Sequence, residues 1–104
     1  MTVERAEREM EIAEGMTKGL WAPHSRVTAV NARIIAENCG MDGDKAYILG
    51  LLHDIGRRKG SWGVDHIFDG YEYMTGLGEH EIARISMTHS YPEIPNFGEY
   101  IAAV

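Results

Sequence analysis

His24, His53, His66 and His89 are spread along the chain, and one carboxylate, Asp54, directly follows the second of them. Imidazole nitrogens and carboxylate oxygens are the donors that borderline divalent metals accept. A carboxylate has two oxygens, so Asp54 can bridge two ions, which a histidine cannot. The dyad is also oddly placed. Leu49-Gly50-Leu51-Leu52 runs straight into it, which sets an acid and a potential cation at the edge of a core. An unpartnered carboxylate there costs several kcal/mol or is forced to protonate. A bound cation removes that conflict; a plain histidine–carboxylate hydrogen bond is the bland alternative. Arg57, Arg58 and Lys59 follow at once, three of the ten basic residues of an acidic chain. The planar arginine fork suits phosphate oxygens, although basic residues also simply favour the C-terminal ends of helices.

These side chains must be positioned by helices, because the apolar spacing is helical and no two-residue alternation stands out. A first helix is expected from about Val3 to Lys18, with Thr2 as N-cap, Gly19 near its end and a thin stripe of Val3, Met10, Ile12 and Met16. The second should start near Pro23-His24-Ser25, bury Val27, Val30, Ile34 and Ile35, and stop at Gly40. Asp42 or Asp44 can cap a third helix carrying Ala46, Leu49, Leu52 and Ile55, broken at Gly56 or Gly60. After a loop at Gly60-Ser61-Trp62-Gly63, a fourth helix fits Val64 to Met74 and a fifth Glu79 to His89. Pro95 and Asn96 mark another start, and Tyr100-Ile101-Ala102-Ala103-Val104 reads as the first turns of a sixth. That apolar ending has no cap, so the natural chain is expected to continue.

Composition bounds the answer. A chain of 104 residues, 44% hydrophobic, fits one domain. One cysteine makes no internal disulfide; Cys39 is expected as a buried filler. No apolar run reaches the roughly 20 residues of a membrane helix, and the acidic N-terminus reads as neither signal nor transit peptide. The formal net charge is −6, which disfavours long nucleic acids. The expectation is a soluble, cytoplasmic protein with no membrane partner and with a homo-oligomer as a possible assembly. His80, between Glu79 and Glu81, reads as a surface residue. Asp65 and Asp69 read as surface acids or as groups orienting a ligand ring. Trp21 and Trp62 read as loop residues that pack or stack on a base. Arg26 and Arg84 are further arginines within reach of a cleft.

The order His24, His53-Asp54, His66, His89 resembles the HD superfamily of metal-dependent phosphohydrolases. His53-Asp54-Ile55-Gly56-Arg57 resembles its signature, where the last residue is often Lys. His66-Ile67-Phe68-Asp69-Gly70 and Ala83-Arg84-Ile85-Ser86-Met87-Thr88-His89-Ser90 resemble the next two elements. The likeness extends from about Leu20 to Pro92. It implies an all-α, HD-domain-like bundle of about five to six helices. It also implies one or two divalent ions (manganese, iron, nickel, cobalt, magnesium or zinc), one held by His24, His53 and Asp54. Asp54 would bridge to a second ion held by His66 and His89. The family closes its first metal shell with a later Asp, whereas this chain has only Glu93 and Glu99 after Asp69. The uncapped ending accounts for this if that Asp lies beyond Val104.

The implied activity is hydrolysis of a nucleotide or another small phosphorylated substrate, with Asp54 and Arg57 in the catalytic machinery and Arg57 and Arg58 binding phosphate. Two alternatives share the ligand pattern. One is an HD-type di-iron oxygenase; the other is a degenerate HD module that binds a nucleotide or a partner without turnover. His89 is followed by Ser90-Tyr91-Pro92, without the paired His and Gly-Tyr-Pro of the cyclic-dinucleotide phosphodiesterases, so that substrate is not adopted.

Overall fold

The computed structural model describes residues 1–60 and 65–88. Five α-helices are present among them: α1 (Val3–Met16), α2 (Trp21–Asn38), α3 (Gly43–Leu52), α4 (Asp65–Gly76) and α5 (His80–Thr88). A 3-10 helix, Ile55–Lys59, lies between α3 and α4, and there is no strand among the described residues. The fold is all-α, as the apolar spacing and the resemblance require. The expected sixth helix lies outside the described residues.

The helix starts follow local chemistry. Thr2 caps α1 by accepting a hydrogen bond from the Arg5 amide, and Asp42 caps α3 by accepting one from the Lys45 amide, each quieting an orphan N–H. At two helix ends Gly40 and Gly78 take φ of 72° and 78°. Such left-handed backbone suits glycine best, since it has no Cβ to strain.

α2 differs from its expected orientation. Val27, Val30, Ile34 and Ile35 are 50–64% exposed, and the inward face is Ala22, Ser25, Ala29 and Ala36. The reason lies in how closely α2 crosses α3. A Cβ on Gly50 would sit 3.0 Å from the Ala29 Cα and 3.1 Å from the Thr28 carbonyl oxygen, a spacing that admits only small side chains. α2 also begins at Trp21, two residues before Pro23, so Trp21 is helical. Its indole N–H donates to the Thr17 carbonyl at 3.0 Å.

α1 behaves similarly. It buries Ala6, Met10 and Ala13 while Ile12 and Met16 stay over half exposed. Cys39, expected inside, is exposed at the end of α2. The core brings Met10 of α1, Leu51 and Leu52 of α3, Ile55 of the 3-10 helix, Met74 of α4 and Ile82 of α5 into one cluster.

α1 is pinned by polar contacts as well. Arg26 donates to Glu7 at 2.9 Å and to Glu14, so it serves the α1–α2 contact rather than a cleft. The Glu14 hydrogen bond, followed by that to Glu7, holds the guanidinium above its usual pKa against the opposing effect of burial. Tyr47 donates to Glu7, and this bond chiefly lowers the carboxyl and raises the phenol.

Candidate metal centre

α3 ends at Leu52, immediately before the dyad. His53 is its C-cap, and Asp54, with φ −114° and ψ 19°, leads into the 3-10 helix. The dyad therefore occupies the break between two helices, where side chains leave the backbone in directions that one continuous helix would not provide. Both are buried, at 8% and 6% exposure. The His53 Nδ1 lies 2.6 Å from the Gly50 carbonyl oxygen. A carbonyl only accepts, so Nδ1 carries a proton, and in the neutral ring Nε2 keeps the lone pair. This is the orienting bond that metal-binding imidazoles commonly make through their other nitrogen.

Asp54 is held at both oxygens. Its Oδ1 lies 3.0 Å from the Nε2 of His66, which the first turn of α4 brings into the interior. Its Oδ2 accepts from Arg57 Nε at 2.9 Å. His24, in the first turns of α2, is exposed at the site's edge, and its ring stands edge-on to that of His53 with centroids 5.7 Å apart. Thus α2, the α3 break and α4 bring His24, His53, Asp54, Arg57 and His66 into one neighbourhood. His89 lies outside the described residues, as do Trp62, Glu93 and Glu99.

The donor set suits a divalent ion. Two ligand atoms bound at about 2.1 Å and at right angles stand about 3 Å apart, which is the Asp54–His66 separation. Among the described residues, however, no three His, Cys, Asp or Glu side chains converge tightly enough to enclose an ion. The arrangement is two linked pairs, His24 with His53 and Asp54 with His66, rather than a closed shell.

Arg58 packs differently from its neighbour. Its guanidinium lies 4.0 Å over the Tyr73 ring, and the Tyr73 hydroxyl donates to Glu9. Burial, then that hydrogen bond, pushes the Tyr73 phenol above its usual pKa. Thr17 Oγ1 donates to the Arg58 carbonyl at 2.7 Å, so α1, the 3-10 helix and α4 are tied together behind the site. Lys59, His80, Asp65 and Arg84 are exposed, and Asp69 is half-buried.

Gly56, Gly70 and Ser86 stand inside the motifs, but the sequence does not show how closely they pack. A Cβ on Gly56 would lie 1.8 Å from the His66 carbonyl oxygen, and one on Gly70 would lie 3.1 Å from Ser86 Cβ. Their signal was present in the motifs, since Gly56 and Gly70 each follow a ligand candidate, but spacing alone does not say what presses against them. Beside His53, a groove of about 330 Å³ runs between α2, α3 and α5, lined by Thr28, Ala32, Leu49, Gly50 and Ile85 among others.

The family model described as HD domain matches residues 21–101. No curated protein and no solved structure matches the chain.

Proposed function

The chain belongs to the HD domain family, and on that premise we propose that it is a metal-dependent phosphohydrolase acting on a nucleotide or another small phosphoester. The observation that carries this reading is Asp54, a buried carboxylate with His66 3.0 Å from one oxygen and Arg57 2.9 Å from the other. Metal-ligand chemistry and a phosphate-binding fork thereby share one residue.

In this reading His24, His53 and Asp54 would hold one divalent ion, and Asp54, His66 and His89 would hold a second. When bound, such ions supply a water of lowered pKa and neutralise charge on phosphate oxygens. The protein's own groups do the rest. Gly50 fixes the tautomer of His53, so its Nε2 lone pair is the one offered. Asp54 holds Arg57 by Nε, which leaves the two terminal guanidinium nitrogens to grip a phosphate bidentately. Arg58, engaged on Tyr73, is assigned to packing and to the positive potential near the site.

The test is phosphate release from a panel of nucleotides and sugar phosphates, with manganese, cobalt, nickel or magnesium added in turn. Turnover with at least one pair, abolished in Asp54→Ala, is the expected result. Oxygen uptake by an iron-loaded protein with no phosphate release would overturn it, as would substrate binding without turnover on any member of the panel.

A further inference from the structure

We propose that Gly56 is a positioning residue whose missing side chain sets whether the site holds two ions or one. This rests on the metal-dependent reading above.

The HD dyad and His66 belong to different elements, and their meeting depends on how closely the 3-10 helix approaches α4. Gly56 lies at that contact. A Cβ built on it would stand 1.8 Å from the His66 carbonyl oxygen, 2.6 Å from the Gly70 nitrogen and 2.8 Å from the His66 carbonyl carbon. All three are backbone atoms of a single turn of α4, so no rotamer change can relieve the clash. The far side is tight too. A Cβ on Gly70 would meet Ser86 Cβ and Oγ at 3.1 Å and the Gly56 nitrogen at 3.2 Å. The 3-10 helix therefore meets α4 at backbone distance through Gly56, and the Ser86 side chain of α5 stands close behind Gly70, against an easy retreat of α4.

Ordinary van der Waals contact begins near 3.4 Å, so a methyl group at position 56 requires the His66 turn to withdraw by about 1.5 Å. The Asp54 Oδ1–His66 Nε2 distance of 3.0 Å would then open beyond both hydrogen-bond reach and the spacing of two ligands on one ion. His24, His53 and Asp54 lie on the near side of the contact and keep their relation. The second ion's ligand set is split, and the first is not.

The experiment uses the whole chain loaded with manganese, desalted, and read by elemental analysis and electron paramagnetic resonance. The parent is expected to hold two ions whose spins are coupled. Gly56→Ala is expected to hold one uncoupled ion, with second-ion affinity down by about 10- to 100-fold, the range seen when groups supporting metal ligands are lost. Gly76→Ala, at the end of α4 where a Cβ meets nothing within 4 Å, should keep both ions coupled. Two coupled ions in folded Gly56→Ala would overturn the proposal. If that variant does not fold, the milder Gly70→Ala takes its place. Weakened second-ion binding there supports the proposal, and parental binding overturns it. A parent with one ion would overturn the role of Gly56 while leaving the metal-dependent reading standing. A parent with none would remove that reading and this proposal together.

Discussion

Asp54 Oδ1 and His66 Nε2 lie 3.0 Å apart with both side chains more than nine-tenths buried. Burial makes this contact costly to break on one side alone, because the remaining group loses a partner where water does not readily replace it. Asp54→Asn keeps an acceptor for His66 and removes the charge. It should cost about 1–3 kcal/mol of stability by denaturant unfolding and reduce phosphate release to background.

Arg57 and Arg58 should separate cleanly. Arg57→Ala removes a charged grip on phosphate, worth about 1.5–3 kcal/mol, so kcat/KM should fall roughly 10- to 100-fold. Arg58→Ala loses the stacking on Tyr73 and should cost about 0.5–1 kcal/mol of stability with a smaller change in kcat/KM. Steady-state kinetics and thermal unfolding of both variants check this; equal kinetic losses would place Arg58 at the phosphate as well.

The attachment of α1 is pH-dependent with opposite signs at the two ends. The Glu7 carboxyl is lowered from its usual 4.5 by the Tyr47 hydrogen bond, so its stabilisation is complete above that value and is lost as pH falls through the folded pKa. The Tyr47 and Tyr73 phenols are raised from 10.0, so their contribution is complete below 10 and is lost as pH rises through the folded values. Tyr47→Phe should flatten both limbs and cost roughly 1 kcal/mol at neutral pH, a charged hydrogen bond discounted for partial exposure. Urea unfolding from pH 3 to 11 measures it.

How much of this was legible beforehand depended on distance along the chain. The HD dyad, its following arginine and the helical class stood in local spacing, as did the caps at Thr2 and Asp42. The packing face of α2 did not. Val27, Val30 and Ile34 make the stronger apolar stripe, yet Ala29 and Ser25 turn inward because Gly50 of α3 comes within backbone distance. Hydrophobic periodicity detects a stripe but not the closeness of the neighbour that selects it. The pairing of Asp54 with His66, and of Arg26 with Glu7 and Glu14, was likewise hidden, since each is fixed by how separate helices pack.

Ions that bind the folded state alone stabilise it by mass action, by about 2.7 kcal/mol at a hundred times Kd. For a chain of this size that is a rise of about 10 °C or more in Tm. Excess manganese should produce that rise in the parent and a chelator should reverse it. Asp54→Ala should respond to neither.

The central claim is that Asp54 and its histidines hold metal, and elemental analysis of the gently purified parent beside Asp54→Ala and His80→Ala tests it most directly. The expected result is one or two divalent ions per chain in the parent and in the exposed-residue control His80→Ala, and their loss in Asp54→Ala. The same metal content in all three proteins, or none in the parent after incubation with manganese, would contradict the account.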